Sequence, residues 1–240
     1  MSAPVPLSIL FEDEHLLAIA KPPGRIVIPG RGAPERTLQE EGQEAFGRLW
    51  IVHRLDRGTS GVLLFARSAA AHRAANLAFE GRAVAKRYLA VVRGAPPSEA
   101  RHEAPIAPAR KGRMKAVAPG DPRGKPAATV VRLVEAFPAR PPLPALALVE
   151  AVPETGRTHQ IRVHLAWAGT PLAVDPDYGE EARLYDAAGG LLLDRTPLHA
   201  EALALAHPVS GAPLRIRAPL PDDLQRLLAA ARAPPCTAPR

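Results

Sequence analysis

The apolar residues of this chain come in short runs, and that limits it to a fold assembled from short elements. Val62-Leu63-Leu64-Phe65-Ala66 is fully apolar and of strand length. Stretches such as 143–149 fall far short of the roughly 20 residues that span a membrane. With 240 residues, 47% hydrophobic and 23% charged, the sequence can bury a core as one large domain or two small ones. It predicts a soluble protein. Residues 1–11 show no basic segment leading into an apolar one, so no secretory signal is expected and the chain is assigned to the cytoplasm. The single cysteine, Cys236, leaves no disulfide framework, zinc ribbon or CxxC redox centre.

Residues 7–20 read as two strands around the acidic turn Glu12-Asp13-Glu14, stopped by Lys21-Pro22-Pro23-Gly24. Thr37 and Glu40 form the two ends of a capping box for a helix over 37–47. Ser68 caps a second helix to about Glu80, ended by Gly81. A third is expected from Thr158 as N-cap to Ala168, with Gly169 just beyond, and a fourth from about Pro221. Strand-like runs fall at 62–66, 88–92, 129–134, 145–152 and 191–193. The segments 198–207 and 214–216 flank a turn at Ser210-Gly211. Residues 96–126, rich in Pro, Gly and basic residues, read as a long, partly mobile excursion. Short strands, many turns and three or four helices indicate an α+β fold on a largely antiparallel or mixed sheet.

The formal charge is +7, and 26 of the 31 cationic residues are arginine. Arginine's planar fork bridges phosphate oxygens and stacks on bases, so the bias suits nucleic acid. Coding bias in a GC-rich genome produces the same Ala-, Pro- and Arg-rich composition, which leaves the decision to motifs.

His53-Arg54-Leu55-Asp56-Arg57-Gly58-Thr59-Ser60-Gly61 sets a carboxylate between two arginines, in a loop where flanking strands can hold it at the mouth of a cleft. Such surroundings suit a nucleophile or base better than an acid. An Asp-Arg surface pair on a Thr-Ser-Gly turn accounts for the same residues. Further on, a helix starting at Thr158 would place unbonded N–H groups beside Arg157, an anion site for phosphate or carboxylate. Arg162 lies one turn from His159 on that helix. His159 and His164 are five apart, which separates them by about 140° and rules out joint chelation of a metal. His159 and Gln160 read equally as satisfied polar groups tying helix to sheet. Lys86-Arg87-Tyr88 opens a strand with two cations and an aromatic, which suits either base stacking or a half-buried sheet position. His199 and His207 read as core and turn. No P-loop, GxGxxG or GxSxG occurs, so no nucleotide cofactor is called for.

Taken in order, HRLDRGTSG (53–61), KRYLAVV (86–92), TGRTHQIRVHLAWAG (155–169), PLAVDPDYG (171–179) and LHAEALALAHP (198–208) make the chain resemble the RluA-type RNA pseudouridine synthases. The likeness runs from Leu16, through a KPPG similar to the family's opening motif, to Pro219-Leu220-Pro221. It implies isomerisation of a uridine in RNA: the C1′–N1 bond breaks, the base turns, and C5 bonds to C1′, with no cofactor and no metal. It also implies one α+β catalytic domain over 1–232, with a long mixed, mainly antiparallel sheet flanked by helices, and a Pro-rich tail at 233–240. Asp56 would be the essential carboxylate, attacking C1′ or deprotonating C2′. Tyr88 would lie against the uracil and assist proton removal from C5, and Arg162 would pair with Asp56. Arg54 would fill the gap left by the flipped base. His53, Arg57, Thr59, Arg157, His159 and Gln160 complete the implied substrate-binding set.

The implied partner is a stem-loop of ribosomal or transfer RNA, bound by a monomer without membrane contact. No S4-type module precedes Lys21, as in the family's short members, so RNA has to be gripped by the domain itself. Residues 110–115 and 123–125 are candidates for that grip. Ile28 stands where a His is common in the family, and Val174 precedes Asp175 where a Gly is frequent. The alternative is a non-catalytic RNA-binding or ribosome-assembly factor of the same fold. A hydrolase is disfavoured, because glycoside hydrolysis ordinarily uses two carboxylates and the motifs carry one.

Overall fold

A computed structural model describes residues 7–29 and 35–233. The expected tail, with Cys236, lies outside them from 234 on. In chain order the first elements are β1 (Ile9–Glu12), β2 (Leu16–Lys21), α1 (Leu38–Phe46), β3 (Trp50–Ile51), β4 (Ser60–Ala66), α2 (Ala69–Glu80) and β5 (Ala85–Arg93). Next come β6 (Glu99–His102), β7 (Ile106–Pro108), β8 (Met114–Ala116), β9 (Thr129–Phe137), β10 (Leu146–Pro153) and α3 (Gln160–Trp167). The remainder are β11 (Leu184–Tyr185), β12 (Leu191–Leu193), β13 (Leu198–Ala206), β14 (Pro213–Arg217) and α4 (Asp222–Arg232). The class is α+β, as expected. The described elements divide into two compact units, one of those up to Tyr88 with His199–Pro219, and one of Leu89–Leu198 with those from Leu220 on.

In the first unit the strand order is β1-β2-β4-β13, with β14 added to β13 and β3 to β4. The sheet is mixed because β4 and β13 run parallel, Ser60 beside His199 and Gly61 beside Ala200. The 62–66 run is buried on both faces, as its lack of alternation predicts. Val62 and Leu64 pack with Leu16, Ala18 and Leu203 on one face, and Leu63 and Phe65 with Leu17, Ile19 and Leu38 on the other. The caps are those the sequence indicates. The Thr37 hydroxyl accepts the Glu40 N–H at 3.2 Å, and the Glu40 carboxylate accepts the Thr37 N–H at 2.8 Å. Ser68 accepts the Ala71 N–H at 3.2 Å to start α2, and the Gly81 N–H bonds the Leu77 carbonyl to end it.

In the second unit, which takes β5 from Leu89 onward, the order is β5-β10-β9-β6. Leu224, Leu227 and Leu228 of α4 pack against Leu146, Leu148, Leu192 and Leu193. Residues 96–126 depart from the expected excursion. They contain β6, which pairs antiparallel with β9, and a β7–β8 hairpin whose Ile106 clusters with Ala127 and Val163. The apolar positions of this hairpin alternate with cations and prolines, which hides a one-sided strand from average hydropathy. α3 also differs. It starts at Gln160, with His159 in the capping position at φ 55 and no side-chain cap, while Gly169 follows its C-terminus at φ +77 as expected. Among the described residues no helix is long and apolar enough to cross a membrane.

Candidate active site

The loop between β3 and β4 carries Asp56, and Lys21 at the end of β2 fixes that loop. Lys21 is 1% exposed, and its ammonium donates to the carbonyls of Pro22 (3.0 Å), Arg57 (3.1 Å) and Thr59 (2.8 Å). A buried cation is costly unless hydrogen-bonded, and these carbonyls meet that need while pinning the backbone on the far side of Asp56. The Thr59 N–H closes the turn on the Asp56 carbonyl at 3.0 Å. Arg57 pairs with Glu35 and donates its Nε–H to the Gly24 carbonyl at 3.1 Å, while Arg54 is exposed. The Thr59 hydroxyl is buried with no hydrogen-bond partner among the described residues, an unmet demand of the kind a ligand satisfies. In the sequence Lys21 reads as a strand stop and as the first residue of the KPPG opening motif, not as the brace of the Asp56 loop. The available signal was a lysine closing an otherwise apolar strand.

Tyr88 belongs to the same electrostatic neighbourhood. Burial pushes its phenol well above the ordinary value, and the Asp56 carboxylate raises it further, so the hydroxyl stays protonated at neutral pH. His199 is core, as read from the sequence. Its Nε2 faces the Ala218 carbonyl at 3.2 Å and therefore carries the proton, leaving Nδ1 to accept from the Ser60 hydroxyl at 3.0 Å.

His53 braces β4 against α2. Its Nε2 accepts the Leu64 N–H at 3.1 Å, and its ring stacks on Phe79 with centroids 5.1 Å apart. Burial, helped by the Lys86 charge, pulls its pKa from 6.5 down to about 4. The unfolded chain therefore takes up this proton at a higher pH than the folded one. The stabilisation is complete above about pH 6.5 and declines toward pH 4, at up to about 1.4 kcal/mol per pH unit. In thermal denaturation between pH 7 and 4.5, His53→Gln is expected to lose close to one proton's worth of that slope. Identical slopes would contradict the assignment.

In the second unit Arg162 is the centre. Its side chain is 6% exposed and meets Asp175, 1% exposed, as a fork: Nε to Oδ2 at 2.8 Å and Nη2 to Oδ1 at 2.6 Å. Nη2 also reaches Asp177 Oδ2 at 2.7 Å, and the guanidinium lies over the Tyr178 ring at 4.9 Å. Burial works to raise the Asp177 pKa, but Arg162 outweighs it and the carboxyl ends below its usual value. The Tyr178 hydroxyl accepts the Met114 N–H at 2.8 Å and lies 2.8 Å from His159 Nδ1.

Gln160, expected among the substrate contacts, spends its whole amide on the scaffold. Its oxygen accepts from the Thr155 hydroxyl (2.6 Å) and the Arg157 N–H (3.0 Å), and its nitrogen donates to the Ala128 carbonyl (2.9 Å) and the Thr129 hydroxyl (3.0 Å). The anion site expected at Thr158 is corrected by the same bonds. The capping position is His159, one residue later, the Arg157 N–H is taken by Gln160, and the Arg157 guanidinium donates to the Pro126 carbonyl at 3.0 Å. The structure thus groups Asp56 with Tyr88, Thr59 and Lys21 in one unit, and Arg162 with His159, Asp175 and Asp177 in the other. No cluster of three or more metal-ligating side chains occurs among the described residues.

Solved structures define the class of fold. The chain is similar to human RNA pseudouridylate synthase domain containing 4, with TM-score 0.73, 25% identity, and 95% of this chain and 94% of that one covered. Human RNA pseudouridylate synthase domain containing 1 gives TM-score 0.71 at 26% identity, covering 98% and 99%. The family follows from sequence. A family model described as RNA pseudouridylate synthase matches residues 15–167. The ribosomal large subunit pseudouridine synthase D of Xanthomonas campestris is 42% identical over 240 residues, 95% of this chain and 70% of that protein. Synthase C of Escherichia coli O157:H7 is 39% identical over 229 residues, 92% and 68%. The chain belongs to the RNA pseudouridylate synthase family, and its enzyme class is RNA-modifying isomerase.

Proposed function

We propose that the protein converts specific uridines of ribosomal or transfer RNA to pseudouridine, with Asp56 as the reacting carboxylate. One observation carries this reading: the Asp56 loop is pinned by the buried Lys21 and set beside a phenol, Tyr88, that is kept neutral. Asp56 attacks C1′ or removes the C2′ proton, the C1′–N1 bond breaks, and the uracil turns. C5 then bonds to C1′, expelling the Asp56 carboxylate if it had attacked C1′ or with Asp56 returning the proton to C2′ if it had removed it, the C5 proton leaves to solvent, and N1 is protonated. Tyr88, as a neutral phenol, supports the uracil and relays the departing C5 proton to solvent, while Arg162 supplies a buried cation to the reaction. Arg54, exposed on the loop, fills the gap left by the extruded nucleotide, and the unpartnered Thr59 hydroxyl bonds the substrate.

The relatives' names favour ribosomal large-subunit RNA over transfer RNA as the target. The family match crosses the Tyr88/Leu89 boundary, which supports residues 1–232 as one catalytic domain. The same reading makes the enzyme a cytoplasmic monomer. Release of tritium from C5-tritiated uridine in unmodified ribosomal and transfer RNA tests the proposal; tight binding without release favours the assembly-factor alternative.

RNA is gripped by the β7–β8 hairpin. Arg110, Lys111, Lys115 and Lys125 are exposed and in no ion pair among the described residues, whereas Arg113 is held by Asp177 at 3.2 Å. Joint substitution of Lys111 and Lys115 by Ala is expected to raise KM about tenfold with kcat nearly unchanged. It should also flatten the log Kd against log salt slope by about 1.4, two phosphate contacts at roughly 0.7 each. An unchanged slope would remove the hairpin from the interface.

A further inference from the structure

We propose that Asp175 is a positioning residue for the isomerisation, holding the Arg162 guanidinium in a single orientation. This rests on the role given above to Arg162. The PDY segment that follows Asp175 supplies the rest of the cradle.

The Asp175 carboxylate cannot turn. Its Oδ1 accepts the N–H groups of Asp177 (3.0 Å) and Tyr178 (3.3 Å) while both oxygens face Arg162. Asp175 and Asp177 together take the Nε–H and both Nη2–H bonds, and the Tyr178 ring closes one face. A bidentate Arg–carboxylate pair fixes a plane as well as a distance, which a single charge contact does not.

The charges also balance locally. Arg162 and Arg113 meet Asp175 and Asp177, two cations against two carboxylates, with Arg113 on the Asp177 oxygen that Arg162 does not use. Burial of Arg162 is therefore compensated within its own unit.

The test is Asp175→Asn, which keeps the shape, removes the charge and turns one acceptor into a donor facing Arg162. Tritium-release kcat is expected to fall about 100-fold, with KM and RNA affinity within about threefold and an unchanged circular dichroism spectrum. Because Asp175 acts through Arg162, the Asp175→Asn/Arg162→Gln double variant should be no more than about threefold worse than Arg162→Gln alone. A folded Asp175→Asn enzyme with wild-type kcat, beside an inactive Arg162→Gln, overturns the proposal; so does a double variant with multiplied losses. Wild-type kcat in Arg162→Gln overturns the underlying role of Arg162 instead.

If Asp175→Asn does not fold, Asp175→Glu carries the test, because it keeps the charge that compensates Arg162 but displaces the fork by one methylene. It should cost about tenfold in kcat at constant KM, and wild-type kcat overturns the proposal.

Discussion

Asp56→Asn is expected to abolish isomerisation while leaving RNA affinity within about threefold of wild type. The substitution is nearly isosteric, and the loop is held through backbone groups: Lys21 on the Arg57 and Thr59 carbonyls, and the Thr59 N–H on the Asp56 carbonyl. None of these bonds uses the side chain, so the loop should keep its shape. The lost quantity is a carboxylate able to attack C1′ or take a proton from C2′, which an amide does not replace. A fall in kcat of at least about 10⁴ is the scale for removing a nucleophile or base. Binding persists because phosphate contacts supply most RNA affinity. Filter binding and tritium release on one preparation separate the two effects. Residual turnover within about tenfold of wild type would move the reacting carboxylate elsewhere.

Gly61→Ala should act on stability with comparable force. At φ +117 an L side chain is strained, and a Cβ would lie 2.2 Å from the Ala200 carbonyl oxygen and 2.6 Å from its carbonyl carbon and nitrogen. The obstruction is backbone in the parallel β4–β13 pair, so rotamer changes do not relieve it. Overpacking and backbone strain together put the cost at about 3–5 kcal/mol. For a chain of this size that lowers Tm by roughly 10 °C. Differential scanning calorimetry checks it. A fall under about 3 °C would mean that β4 and β13 separate more easily than this packing allows.

The helix caps were legible because Thr37 with Glu40, and Ser68 with Gly81, act within a few residues of themselves. The 62–66 run was legible because burial on both faces removes alternation. The Asp56 loop, Tyr88 and Arg162 stood out through ordered motifs. What stayed hidden depends on partners distant in sequence. Lys21 acquires its place only when residues 57 and 59 fold over it, and Arg162 is oriented by Asp175 and Asp177. The start of α3 was misread because Gln160 bonds Thr155 and Ala128, claiming the turn that a local reading gave to Thr158. The β7–β8 hairpin was masked by the cations it displays.

Nucleoside analysis of in vitro transcribed large-subunit ribosomal RNA, incubated with the protein, digested and resolved by chromatography, tests the central claim most directly. Pseudouridine has the mass of uridine but a carbon–carbon glycosidic bond, so its separate peak reports the bond rearrangement itself. The account predicts pseudouridine in near-integral amount per RNA molecule with wild type and none with Asp56→Asn. Absence of pseudouridine from both ribosomal and transfer RNA transcripts, with the RNA tightly bound, would contradict it and leave an RNA-binding protein of the same fold.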